Sequence, residues 1–164
     1  MTLQRQKSSS GLWWFTGLAV VGIAFILIGA SKNSSSRTNR EVALACTSDM
    51  ATQFHIHPHL AIIVNGQQQD IPANIGIRSS CMNALHTHDN SGQIHIESPE
   101  RRDFTLANFF AVWDKPYSKD QILDQKVDET HVIRETVNGQ EVQDYEQTVL
   151  RDKDQVVISY EQKK

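Results

Sequence analysis

Six of the chain's seven histidines fall between residues 55 and 95, in the segments FHIHPHL (54–60) and LHTHDNSGQIHIES (85–98). His55, His57 and His59 alternate with Ile56, Pro58 and Leu60, and His86, His88 and His95 repeat the two-residue spacing around a turn. Period two belongs to strands, on which residues i and i+2 point to one face. Neutral imidazole offers a lone pair from one or the other ring nitrogen, so two of them on one face can chelate one ion. A first-row divalent ion needs three or four protein ligands. Six histidines therefore leave a surplus, enough for a second ion or for acid–base groups beside one.

The second segment reads as a hairpin turning at Asp89-Asn90-Ser91-Gly92. With a four-residue loop, His88 faces Gln93, His86 faces His95 and Ala84 faces Glu97, since cross-strand neighbours share a face. His86, His88, His95 and Glu97 then line one side, and Leu85, Thr87, Ile94 and Ile96 the other. A loop one residue longer breaks this register. All-imidazole sets suit zinc, copper or iron, and His86, His88 and Glu97 form the two-histidine, one-carboxylate set of non-haem iron. A metal-dependent hydrolase or oxygenase would use Glu97 or Asp89 as base. Two readings need no metal: a hydrogen-bonded histidine network in an accessory subunit, or a pH-responsive cluster whose like charges repel. His131, in the polar stretch ETHVIRE, reads as a surface residue. Ser79, Ser80 and Ser91 lack the glycines of a nucleophile elbow, and the chain has no phosphate-binding loop.

The elements that must position these side chains follow from turns and periodicity. Phe54–Val64 reads as one strand whose second half is buried, with Pro58 placing the first half at an edge or strand start. Asn65-Gly66 is a hairpin turn into 67–71. Residues 73–77 tuck under the sheet. Leu106, Phe109, Phe110 and Trp113 have helical spacing, with Asp103 or Thr105 as cap, and this aromatic stripe is core. Ser118 with Gln121 predicts a short second helix to about residue 125. Strands at 132–137 and 141–145 flank Asn138-Gly139, and 149–150 and 156–160 flank the turn RDKDQ.

The amino-terminal quarter is different. Leu12–Ala30 is nineteen residues without a charge, Gly11 extends it to twenty, and that length spans a bilayer as a helix. Residues 1–10 read as a cytoplasmic leader, 11–30 as a transmembrane anchor, 31–40 as a Ser-rich flexible linker and 41–164 as the folded domain. A cleavable signal peptide is the rival, and ALAC (43–46) is a poor lipoprotein box. Residues 1–40 hold five Lys/Arg and no acids, which leaves eleven basic and nineteen acidic residues beyond them. That negative body excludes nucleic acid as a partner and tolerates cations.

Cys46 and Cys81 form an even pair, read as a disulfide if the domain lies outside the cytoplasm. Buried free thiols and thiolate ligands are the alternatives. The carboxyl-terminal VNGQEV and L-RDKDQVVISY resemble the closing segments of β-grasp domains, with a cupin-like barrel as the alternative fold. The segments HIHPHLAIIVNG, IPANIGI, LHTHDNSGQIHIES and FTLANFFAVW resemble a group of prokaryotic membrane-anchored proteins. That resemblance covers about residues 54–113. It implies an extracytoplasmic domain and brings no assigned activity.

The sequence thus predicts a single-pass cell-membrane protein with an α+β domain outside the cytoplasm, mostly antiparallel strands with one or two helices. The domain binds copper, zinc or iron through His55, His57, His59, His86, His88, His95 and Glu97. Its partners are the membrane and a membrane protein complex.

Overall fold

The computed structural model describes residues 37–48 and 52–163. The leader, the apolar run over 11–30 and most of the linker lie outside them. Among the described residues no helix is long and apolar enough to cross a membrane. Helix α1 (Asn39–Leu44) starts two residues inside the expected linker, and the compact unit begins at Arg37. A capping box places that start: Glu41 N donates to Thr38 Oγ1 (3.2 Å), and Thr38 N donates to Glu41 Oε2 (2.7 Å).

In chain order the strands begin with β1 (Cys46–Thr47), β2 (Phe54–Ile56), β3 (His59–Val64), β4 (Gln67–Gln69), β5 (Ile77–Arg78), β6 (Cys81–Asn83), β7 (Leu85–His86) and β8 (His95–Ser98). After helix α2 (Leu106–Trp113) come β9 (Tyr117–Ser118), β10 (Gln121–Ile122), β11 (Gln125–Lys126), β12 (His131–Val137), β13 (Gln140–Val142) and β14 (Gln155–Gln162). The result is a small α+β domain, mostly antiparallel, with few helices.

The largest sheet runs β13-β12-β14-β3-β4, with β14 and β3 parallel at its centre and the other pairs antiparallel. Val156, Ile158 and Tyr160 lie opposite Leu60, Ile62 and Val64, so one apolar stripe crosses the central pair. Both outer hairpins turn at Asn-Gly with positive φ at each residue (49° and 81° at Asn65-Gly66, 53° and 79° at Asn138-Gly139). That is the type I′ geometry matching strand twist. The stripe joins Leu106, Phe109 and Phe110 of α2 in one core, together with Ile75 and Ile94. Helix α2 begins one residue after Thr105, whose N–H donates to Asn108 Oδ1 at 3.0 Å.

One element differs in kind. The segment expected as a second helix from Ser118 is a ladder of three short strands, β11-β10-β9. Ser118 Oγ accepts from Asp120 N (3.2 Å), and Leu123 sits at φ +50°. A hydroxyl bonding two residues onward closes a turn that competes with helix. The capping-box spacing is satisfied by that turn.

On the buried face of β12, Glu135 is fully enclosed opposite Ile158. It accepts a hydrogen bond from Tyr117 Oη. Burial pushes the Glu135 carboxyl up, against the Thr148 and Tyr117 hydroxyls that favour its charged form. Burial also pushes the Tyr117 phenol up.

Candidate metal centre

The histidines lie on a three-stranded antiparallel sheet ordered β2-β8-β7. Its register sets His55 opposite Glu97 and His86 opposite His95. The hairpin alignment expected from the sequence therefore holds at its centre. Leu85, Thr87, Ile94 and Ile96 are buried on the far face as expected, so the imidazoles and Glu97 share the near one.

Pro58 does more than mark an edge. It ends β2, and β3 enters the other sheet. The Pro58 carbonyl accepts from Ile94 N (2.9 Å), Leu60 N donates to Gly92 O (2.9 Å) and His59 N donates to Asp154 O (2.8 Å). The first two bonds join the histidine hairpin to the start of β3, and the third ties β3 to the entry of β14. His59 thereby leaves the histidine face: it bridges Gln93, the position expected to face His88, and its Nε2 bonds the Ser91 carbonyl at 2.8 Å. Gly92 allows this docking. It has φ +89°, and a Cβ there would stand 2.3 Å from Leu60 O. Only glycine fits.

Five histidines converge as two sets of three that share a member. One ring nitrogen from each of His55, His57 and His95 lies within 4.8 Å of the other two, and the same holds for His86, His88 and His95. His95, on the central strand, has ring centroids 4.7 Å from His57 and 4.5 Å from His88. These spacings are those of side chains that a small closure would bring onto one ion. His59 belongs to neither set. His131 lies in neither set but on β12 of the five-stranded sheet, stacked on Tyr160 with centroids 4.9 Å apart and paired with Asp128.

The two sets have different surroundings. His86 is wholly buried, and its Nδ1 lies 3.1 Å from the Asn83 carbonyl. With Nδ1 donating there, Nε2 carries the lone pair, and Nε2 is buried without a hydrogen-bond partner. Asn83 is itself held rigidly: its N–H donates to Gly76 O (2.8 Å) and its Nδ2 to Ala43 O (2.9 Å). A carbonyl orienting the far nitrogen of a histidine is the usual support of a metal ligand. Burial pushes His86 down to about 4, which keeps the imidazole neutral at physiological pH. Burial first, then the neighbouring His88, His57 and His55, also pushes His95 down.

His55 and His57 are more open, with side chains 43% and 36% exposed. Each has a carboxylate beside it. His55 Nε2 is 3.1 Å from Glu97 Oε1, and His57 N donates to Asp152 Oδ1 at 3.0 Å. Glu97 thus stands behind a histidine, and Asp89 accepts from Ser91 N within its own turn. His55, His57 and His59 line an open cleft of about 430 Å³ with Asp152 and Lys153.

Cys46 and Cys81 form a disulfide with Cα atoms 5.3 Å apart. It fastens β1 to β6 two residues before Asn83, the residue that pairs with Cys46, and so braces the strand on which His86 rests. Asn83, Gly92 and Asp152 escape sequence reasoning. Asn83 and Asp152 act through a carbonyl and a distant turn, which leave no local pattern. The glycine of the DNSG turn marks a turn without revealing what it packs against.

Comparison with protein-family models, with curated proteins and with solved structures finds no match.

Proposed function

We propose that this chain is a membrane-anchored protein whose extracytoplasmic domain binds copper, zinc or iron through its histidine face, for metal handling or for assembly of a membrane complex. The observation that carries this reading is His86. A fully buried imidazole has one nitrogen tied to a carbonyl and the other unpartnered beside His88 and His95. A buried polar atom without a partner is costly, and an ion would satisfy it. The all-nitrogen donor set with carboxylates close by suits borderline divalent ions. Residues 11–30 supply the anchor in this reading. The strand order of the large sheet, with its first and last strands parallel at the centre, supports a β-grasp-like arrangement over a cupin-like barrel.

The test is elemental mass spectrometry on the full chain purified in detergent, beside His95→Ala, the change that strikes both histidine sets. One or more equivalents of a transition metal in the wild type, lost in a variant with an unchanged circular dichroism spectrum, is the expected result. No metal in the wild type, even after incubation with zinc, copper and iron salts, overturns the reading and leaves an accessory domain with a histidine packing network.

A further inference from the structure

The two histidine sets are joined through one residue and differ in access. His55 and His57 border an open cleft and sit beside Glu97 and Asp152. His86 is sealed, with an unpartnered nitrogen and a rigid carbonyl behind it, and His88 is exposed between it and solvent. His95 stands in both sets. A neutral imidazole has a single lone pair, because its other nitrogen carries the proton. Unless it loses that proton too, His95 serves one ion at a time.

Resting on the metal-binding reading above, we infer that the two sets are successive stations for one divalent ion, loaded at His55/His57/His95 and held at His86/His88/His95. Asp152, in the cleft, attracts the cation, and Glu97, beside His55 and within electrostatic reach of His86 and His95, offsets its charge as it sheds water. The ion then keeps His95 while it exchanges His55 and His57 for His88 and His86. The exchange breaks two metal–nitrogen bonds as it forms two and moves no electron, provided His95 keeps the same nitrogen on the ion. The retained ligand lets the ion cross without release to solvent. Function on this scheme is transfer from the cleft-side set to the set built on the buried His86.

The experiment uses the full chain in detergent, stripped with chelator, and cobalt(II) as probe, since its visible absorption reports its ligands. Wild type is expected to saturate at one equivalent. His55→Ala/His57→Ala should also take one equivalent, with affinity within a few-fold of wild type but filling at least ten-fold slower by stopped flow. His86→Ala/His88→Ala should fill as fast as wild type, bind at least ten-fold more weakly and show a changed spectrum. Two equivalents in wild type, or unchanged filling in His55→Ala/His57→Ala, overturns the shared-station scheme while leaving metal binding intact. No cobalt bound by wild type overturns both.

Discussion

The five-stranded sheet and the histidine sheet are held in shape by opposite means. The first has strands of seven and eight residues, β12 and β14, paired along their whole length, and two type I′ turns that set register locally. The second has strands of two to four residues, too short to define their own register. Its geometry is imposed from outside by Gly92 against Leu60, Ile94 on Pro58, Asp152 on His57 and Asn83 beneath His86. The scaffold sets its own register, whereas the histidine surface takes its geometry from its neighbours. A surface of this kind can be damaged through contacts outside the histidines themselves, of which Asp152 is the farthest from them in sequence.

The largest test of that contrast is the disulfide. Closing a loop of 35 residues stabilises by about 3–4 kcal/mol in the chain-entropy model. Cys46→Ser/Cys81→Ser should lower the unfolding free energy by about that amount in urea titration. Hydrogen exchange should speed first at His86 and Asn83, while β12 and β14 stay protected to the global limit. Uniform loss of protection would mean that the two sheets are one cooperative unit.

Next come two glycines with the same sign of φ and different surroundings. Gly92→Ala places a methyl against the Leu60 carbonyl, whereas Gly139 has nothing within 4 Å of the added carbon. The first should cost about 2–4 kcal/mol and weaken metal binding. The second should cost about 1 kcal/mol from backbone strain alone and leave binding unchanged. Equal costs would show that Gly92 does not dock the hairpin.

The smallest effect separates the sheets by pH in chelator-treated protein. His86 is pushed below its ordinary 6.5 to about 4. The unfolded chain therefore takes up a proton first as pH falls, and stability is lost from about pH 6.5 down to 4, by about 2–3 kcal/mol. Glu135 is shifted the other way, above 4.5. Its contribution is complete below that pH and is lost as pH rises. His86→Ala should flatten the acid limb only, and Glu135→Gln should flatten the rise-dependent loss only. A melting curve whose acid limb survives His86→Ala would assign that limb to another group.

Much of the scaffold was legible in the chain because it is local. The Asn-Gly turns, the helix from Leu106, the Cys46–Cys81 pair and the His86–His95 alignment all follow from neighbours in sequence. What was hidden is non-local. Pro58 reads as an edge marker, yet it divides one apparent strand between two sheets and takes His59 off the ligand face. Ser118 and Gln121 satisfy a helix-start spacing that Leu123, in the left-handed region, turns into a ladder. The division of five histidines into two sets around His95 depends on which strand is central, and alternation along a segment does not carry that information.

The parallel pairing of β3 with β14 has a consequence for the order of events at the ribosome. The histidines are made by residue 95, but His57 is fastened by Asp152 and Lys153, and β3 lies beside a strand that ends at Gln162. Contacts this distant in the chain close late. The His57 side of the histidine surface is therefore translated early and assembled last, when the final strand slots in beside β3, whereas the β7–β8 hairpin can close once residue 98 is made. A nascent chain with its histidines out but its last strand still missing has a half-built face, with the hairpin side formed and the His57 side waiting for β14.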